Sequence, residues 1–152
     1  MKMIRGMLEP EVQLRRLLRA SPERVFAAFA KPELVSAWLR PSPDIGLDVL
    51  EMDFRVGGAW RFAYHVPNAP IVVICGEYRV IEPPSKLVYS WIIEPPDEHA
   101  GLRSEVTVTL TPAADGTELN ISHHRLTLPG SPERHAQGWE GALDLLAKLL
   151  NA

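Results

Sequence analysis

The chain ends in residues 131–152, which read SPERHAQGWEGALDLLAKLLNA. Large apolar residues recur in this stretch at the spacing of one helix face: Trp139, Leu143, Leu146 and Leu150. Because an α-helix has 3.6 residues per turn, these positions form one stripe, and the charged residues fall on the opposite side. The opening Ser131-Pro132-Glu133 predicts a helix start, with Ser131 as the hydroxyl cap. We therefore predict a long amphipathic helix that lies along an apolar surface.

The sequence before this helix is dominated by the alternation of apolar and polar residues that is typical of β-strands. Strands are predicted at residues 11–19, 47–56, 60–64, 71–82, 87–92, 104–111 and 117–124. Short turn signals such as Gly57-Gly58 and Asp115-Gly116 separate them, so strands that follow one another should pair as antiparallel hairpins. In residues 47–56, one face is expected to carry the apolar side chains Leu50, Met52, Phe54 and Val56.

Two short helices are predicted between the first strand and the second. Ser21-Pro22-Glu23 repeats the capped helix start, Lys31-Pro32 ends that helix, and Arg40-Pro41 ends the next. A single long helix is too narrow to cover so many strands, so the sheet should curl around it. The pattern predicts an α+β fold with a curved antiparallel sheet of about six to seven strands around the carboxy-terminal helix. We expect a pocket near the start of that helix.

Composition limits the classes of function that the chain can have. A chain of 152 residues, 46% of them hydrophobic, can form one domain, which we assign to residues 11–152 after a loose arm of residues 1–10. The net charge of −3 argues against a nucleic-acid partner, and no apolar run approaches the length of a membrane span. The single cysteine, Cys75, permits neither an internal disulfide nor a cysteine zinc site. We expect a cytoplasmic protein without a metal or cofactor.

Short motifs along nearly the whole chain carry a resemblance to a known family. They are RLLRASPERVF at residues 16–26, PEL at 32–34 with Trp38, DFRVGG at 53–58, GEY at 76–78, IEPP at 81–84, LVYSW at 87–91, GTEL at 116–119 and the closing Gly138-Trp139. In order and spacing they resemble the START-like helix-grip superfamily, also called SRPBCC. Within it they resemble the branch of the activator homologues of a heat-shock-protein ATPase. The resemblance implies a curved sheet that grips a long helix around an apolar cavity.

Family membership of this kind leaves several functions open, since members bind lipids, sterols or plant hormones and some cyclise polyketides. The first expectation is the binding of a small, largely apolar or amphipathic molecule between the sheet and the carboxy-terminal helix. An enzyme of the polyketide-cyclase or aromatase kind would need His123 and a second polar group that converge in the pocket. A co-chaperone-like interaction module would instead have a filled interior and an exposed patch. A homodimer also stays open as an alternative.

Aromatic side chains supply most of the candidate binding wall. We predict that the ligand contacts Trp38, Trp60, Phe62, Tyr78, Tyr89, Trp91, His123 and Trp139. Aromatic walls with a few polar tips suit a small-molecule pocket, although the same side chains can also fill a core. Trp38 is expected as a gate or rim residue, or as a hinge anchor packed against the strand ends. His123 shares an apolar strand face with Leu119 and Ile121, so it should face the interior, as a ligand or acid–base group or as a satisfied core histidine.

Overall fold

The computed structural model describes residues 11–151, so the predicted arm of residues 1–10 lies outside the described residues. The elements follow in the order β1 (Glu11–Leu18), α1 (Pro22–Ala30), α2 (Pro32–Trp38), β2 (Gly46–Met52), β3 (Ala59–His65), β4 (Val72–Glu82), β5 (Lys86–Ile93), β6 (Arg103–Ala113), β7 (Gly116–His124) and α3 (Ser131–Asn151). The predicted α+β helix-grip fold is confirmed, with two short helices after the first strand and one long helix at the end.

The seven strands form a single curved antiparallel sheet in the order β1-β7-β6-β5-β4-β3-β2. From β2 to β7 every strand pairs with the next one along the chain, as the short turns predict. The first strand is the exception, because β1 pairs with the last strand, β7, and places Val12 opposite His123. The sheet therefore grips α3 with the beginning and the end of the chain on neighbouring strands.

The two serine-proline starts behave differently. Ser21 caps α1, because its Oγ accepts a hydrogen bond from the backbone nitrogen of Arg24 at 3.2 Å. In contrast, α3 already begins at Ser131, and the backbone nitrogen of Arg134 donates to the carbonyl oxygen of Gly130. The Oγ of Ser131 is buried and has no hydrogen-bond partner within residues 11–151. The predicted capping role of Ser131 is wrong because the helix starts one residue earlier than the motif indicates.

The predicted face of the second strand is also partly wrong. The register of β2 against β3 shifts between Val49 and Glu51, which marks a β-bulge. Val49 pairs with Phe62 and Glu51 with Arg61, so Leu50 is the extra residue at the bulge; it is 52% exposed, whereas Met52 packs against the core. Val56 lies in the turn beyond the strand and is 63% exposed. In the sequence, the alternation of apolar and polar residues runs on without a break through residues 50–56. The bulge and the turn that interrupt the strand are visible only in the pairing of β2 with β3.

The two halves of α3 differ in the size of the side chains that they present to the sheet. The buried stripe includes Trp139, Ala142, Leu143, Leu146 and Leu150. Leucines fill the space under the second half, whereas Gly138 and Gly141 lie in the first half. At Gly141 the helix backbone packs so closely on the segment after α2 that a Cβ would overlap the carbonyl oxygen of Pro41. At Gly138 a Cβ would meet only the Cβ of Pro41, at 3.8 Å.

Candidate ligand-binding site

An open pocket of about 370 Å³ lies between the sheet and the first half of α3. Strands β3, β4 and β5 form one wall through Tyr64, Ile74 and Trp91, and α3 forms the opposite wall through Trp139 and Ala142. The segment after α2 borders the pocket with Leu39, Arg40, Pro41 and Ile45. This is the end of the helix where the sequence predicts a pocket, and the small residues of α3 explain why it stays open.

Polar side chains are few and include two arginines in different electrostatic settings. Arg134 forms two hydrogen bonds with the carboxylate of Asp97, at 2.7 and 2.8 Å, and these hydrogen bonds lower the pKa of Asp97. Arg40 donates instead to the backbone carbonyl oxygens of Ala37, Pro43 and Ile45. No carboxylate within the described range 11–151 forms a salt bridge with Arg40. The pocket border thus carries one positive charge that a carboxylate does not neutralise there.

Two of the eight predicted wall residues, Trp91 and Trp139, line this pocket. Trp38 does not, because it is fully buried, packs edge-to-face on Phe29 with ring centroids 4.9 Å apart, and donates from Nε1 to the carbonyl oxygen of Ala28 at 2.8 Å. Trp38 therefore anchors α2 against α1 and forms no rim. Of the two roles that the sequence left open, this is an anchor as in the second, but its ring contact and hydrogen bond are with α1 and not with the strand ends.

Four other predicted residues line a separate, much smaller inner cavity of about 10 Å³: Trp60, Phe62, Tyr78 and Tyr89. Their side chains are all buried, so these aromatics fill most of the core on this side of the sheet. Leu39 lines both the inner cavity and the main pocket. The aromatic cluster that the sequence predicts as one wall is thus divided between two spaces, with Leu39 at their boundary.

His123 lies behind the two pocket tryptophans and does not line the pocket. The hydroxyl of Ser104 donates to the carbonyl oxygen of Trp91 at 2.9 Å, so it accepts a hydrogen bond from Nε2 of His123 at 2.7 Å. The other ring nitrogen, Nδ1, accepts from Nε1 of Trp139 at 3.0 Å. Burial lowers the pKa of His123 well below its usual value. His123 is therefore a neutral, fully bonded histidine that links β7 to α3.

His135, which was not among the predicted site residues, lines the pocket. The centroid of its ring lies 4.8 Å from the centroid of the His123 ring, and its Nδ1 donates to the carbonyl oxygen of Ser131 at 2.8 Å. Burial lowers its pKa as well. A signal for this position exists in the sequence, because His135, Trp139 and Ala142 follow the i, i+4, i+7 spacing of one helix face.

Tyr64 and the segment after α2 are the other pocket residues outside the predicted set. Tyr64 shares the inward face of β3 with Trp60 and Phe62, so its alternation with exposed residues was visible in the sequence. Its hydroxyl donates to the carbonyl oxygen of Leu39 at 2.7 Å, which ties the sheet to the pocket border. Residues 39–45 carry no periodic signal, and their place at the pocket follows only from their contacts with α3 and β3.

The two buried histidines predict how stability depends on pH. Burial lowers both pKa values below the usual 6.5 in the folded protein, and in the unfolded chain they return to it. Below about pH 6.5 the unfolded state therefore binds protons that the folded state does not, and stability falls by up to about 1.4 kcal/mol per pH unit for each histidine. The loss ends once pH falls below the folded pKa values. Urea unfolding at about pH 7.5 and about pH 5.5 measures this slope.

A variant separates this effect from other titrations. His135→Gln removes one of the two groups, so it should reduce the slope between those pH values by about half. The carboxylates whose pKa values are lowered, Asp44, Glu94 and Asp97, stay ionised in this range and contribute little. Equal stability of the unsubstituted protein at both pH values would contradict the burial of the two imidazoles.

Neither a metal site nor a membrane-spanning helix is supported by the part of the chain that the structure describes. No three His, Cys, Asp or Glu side chains between residues 11 and 151 are grouped so that they could hold a metal ion. In that same range, no helix combines the length and the apolar character that crossing a membrane requires. The pocket between the sheet and α3 is thus the feature on which a functional proposal can be based.

Comparisons with known proteins agree on the family. The family model "Activator of Hsp90 ATPase homolog 1-like protein" matches residues 19–151. A solved Chromobacterium violaceum protein is 29% identical, with a TM-score of 0.81 over 93% of this chain and 98% of its own. A Rhodobacter sphaeroides protein is 25% identical, with a TM-score of 0.77 over 93% of this chain and 92% of its own. The fold also matches an AHSA1 protein from Silicibacter pomeroyi at 22% identity, a TM-score of 0.80, and 93% and 97% coverage. The comparison with curated proteins gives no match.

The family match covers β2 to β7 and all three helices, and it agrees with the motifs that predict the START-like superfamily from the sequence. The match to the first two solved structures extends over almost the whole length of each of those proteins, so they share this arrangement of sheet and helices. This chain belongs to the family of Activator of Hsp90 ATPase homolog 1-like proteins, a branch of the START-like helix-grip superfamily.

Proposed function

We propose that this protein binds a small, largely apolar molecule in the pocket between β3–β5 and the first half of α3. The observation that carries the proposal is the pocket itself, which has a volume of about 370 Å³ and a mainly apolar lining. Small-molecule sites in proteins typically have volumes of about 300–1,000 Å³ and combine apolar walls with few polar groups. The pocket has both properties.

The energetics of the wall indicate the strength of binding. A molecule that buries about 200–300 Å² of apolar surface, its own and that of the pocket together, gains about 5–8 kcal/mol from the hydrophobic effect. Part of this gain offsets the loss of translational and rotational freedom. We therefore expect dissociation constants in the micromolar to millimolar range for apolar molecules that match only the shape of the pocket.

The geometry favours binding over the two alternatives. A cyclase-like reaction needs a free acid or base at the substrate, yet both ring nitrogens of His123 are hydrogen-bonded and the residue does not line the pocket. His135 does line the pocket, but its Nδ1 donates to the carbonyl oxygen of Ser131, so only Nε2 could act as a base, and burial makes the imidazole a weaker base by lowering its pKa. An interaction module is expected to have a filled interior, whereas this interior contains an open pocket.

Filling the pocket from α3 provides a direct test. A Cβ on Gly138 meets only the Cβ of Pro41, at 3.8 Å, so a leucine there can extend into the pocket without a backbone clash. We expect Gly138→Leu to fold normally, since Leu is a better helix former than Gly by about 0.8–1 kcal/mol. It should weaken binding of the amphipathic fluorescent probe anilinonaphthalene sulfonate at least tenfold, measured as the fluorescence increase on titration.

Gly138→Ala is the matched control for this variant. It has the same change in helix propensity but adds only one methyl group, so it should keep most of the probe binding. Equal binding by the leucine variant and the unsubstituted protein would show that the probe binds elsewhere, and it would contradict the proposal. Native mass spectrometry of protein purified from cells can then identify any co-purifying small molecule that the leucine variant lacks.

A further inference from the structure

Three buried hydrogen-bonding groups next to the pocket have no partner. They are Nε1 of Trp60, the hydroxyl of Tyr89 and Nε1 of Trp91, each inaccessible to solvent and unbonded within residues 11–151. Their rings pack together, with centroid distances of 5.7 Å for Trp60–Tyr89, 5.6 Å for Trp60–Trp91 and 6.4 Å for Tyr89–Trp91. A buried polar group without a partner costs about 1–3 kcal/mol, and native proteins contain few of them. We name these three side chains the donor cluster.

Three other polar aromatic groups around the same core have hydrogen-bond partners. Nε1 of Trp38 donates to the carbonyl oxygen of Ala28, and Nε1 of Trp139 donates to Nδ1 of His123. The hydroxyl of Tyr64 donates to the carbonyl oxygen of Leu39. Within residues 11–151, two other buried side-chain atoms also lack a partner, Nδ1 of His99 and Oγ of Ser131, but neither residue lines the main pocket or the inner cavity. An indole N–H can only donate, so what the cluster lacks is an acceptor.

The donor cluster spans the boundary between the two spaces of the interior. Trp91 lines the main pocket, Trp60 and Tyr89 line the inner cavity, and Leu39 lines both. The backbone of Leu39 is held in place, because its nitrogen donates to Val35 and its carbonyl oxygen accepts from Tyr64. The side chain of Leu39 is 5% exposed, and it must move if a molecule is to extend from the main pocket toward the inner cavity. A molecule in the main pocket meets Trp91 first and lies next to the route toward the inner cavity.

We propose that the bound molecule carries a neutral carbonyl oxygen that accepts hydrogen bonds from the donor cluster, with Trp91 and Tyr89 as the first partners. This inference rests on the binding function proposed above and specifies the chemistry of the ligand. A carbonyl oxygen has two lone pairs and no hydrogen, which matches a group of donors that lacks an acceptor. An ionised carboxylate fits less well, because no arginine or lysine lines the inner cavity to pair with a buried negative charge.

Two probes of nearly the same shape test this inference. Tetralin is an apolar bicyclic hydrocarbon, and 1-tetralone is the same molecule with one carbonyl oxygen. We expect both to bind, with 1-tetralone about tenfold tighter, since a hydrogen bond to an otherwise unpaired buried donor adds to the shared apolar contact. Binding is measured by titration in ¹H–¹⁵N correlation spectra, which show the indole N–H signal of each of the four tryptophans separately.

The tryptophans supply internal controls in the same spectra. With 1-tetralone, the indole N–H signal of Trp91 should move downfield, as it does when an N–H gains an acceptor, and with tetralin it should not. The signal of Trp38 should stay in place with both probes, because its N–H is already bonded to Ala28 away from the pocket. Trp139 lines the pocket with a satisfied N–H and should respond to both probes alike.

Tyr89→Phe tests the hydroxyl separately. The variant removes an unpaired buried group, so the free protein should be as stable as the unsubstituted one or slightly more stable. It should bind tetralin unchanged and lose most of its preference for 1-tetralone; an unchanged preference would exclude Tyr89 from the site.

The unsubstituted protein decides the inference as a whole. Equal affinity for both probes, without a shift of the Trp91 signal, would overturn the inference and leave the binding function intact; this is the result expected if a water molecule occupies the donor cluster. Failure of both probes to bind would contradict the binding function and the inference together.

Discussion

Replacing Trp139 by Ala should lower the free energy of unfolding by about 3–5 kcal/mol. Trp139 is 3% exposed and belongs to the buried stripe of α3, so the substitution removes the largest side chain from the contact between helix and sheet. It also removes the N–H that donates to Nδ1 of His123, which leaves that buried nitrogen without a partner. Both losses act in the same direction. Urea unfolding followed by circular dichroism measures the change.

Trp139→Phe separates the two contributions. Phenylalanine keeps a buried aromatic ring but cannot donate to His123, so we expect a smaller loss of about 1–3 kcal/mol. Both variants lack the N–H, so the difference between them reports the packing of the aromatic ring that phenylalanine keeps. A loss of only a few tenths of a kcal/mol for Trp139→Ala would mean that this face of α3 is not packed on the sheet as described.

Gly141→Ala should destabilise the protein by about 1–3 kcal/mol, although Ala is the better helix former. The added Cβ would overlap the carbonyl oxygen of Pro41, which is a backbone atom and cannot rotate away. Either the helix or the segment after α2 must therefore move. Because Arg40 and Pro41 border the pocket, the same substitution should also change the affinity for anilinonaphthalene sulfonate. Urea unfolding and probe titration measure the two effects.

Gly138→Ala is again the matched control, since it lies one helical turn earlier and faces the same proline. There the nearest atom to an added Cβ is 3.8 Å away, an ordinary contact, so the gain in helix propensity of up to about 1 kcal/mol should be retained. The two glycine-to-alanine changes are thus expected to have opposite signs. A stabilising Gly141→Ala would refute the close approach of Pro41 to the helix.

Most of the fold was predictable because strands and helices leave a period in the sequence. The alternation in β6 and β7 and the stripe of α3 determined those elements, and Gly and Pro signals placed the turns between them. The errors occurred where a local pattern continued through a non-local event. Leu50 keeps the alternation of its strand, but a bulge in the pairing of β2 with β3 turns it outward. The hydroxyl of Ser131 matches a capping pattern, but Ser131 is already the first residue of the helix.

The candidate site was less predictable than the fold. The sequence identified Trp91 and Trp139 as inward-facing, and both line the pocket. It equally identified Trp60 and Tyr89, which lie at the inner cavity, because an inward-facing residue has the same pattern in either place. His123 likewise has the pattern of a pocket residue, yet Ser104 and Trp139 occupy both of its ring nitrogens.

The sequence by itself determined which elements form, which faces are apolar and which family the chain resembles, since periodicity and motif order are properties of the chain alone. Only the tertiary structure decided which buried side chains border open space. That depends on the distance between α3 and the sheet, on the approach of Pro41 to Gly141 and on the hydrogen bonds that satisfy some aromatic side chains and not others. Packing joins residues far apart in sequence, and local periodicity carries no record of such contacts.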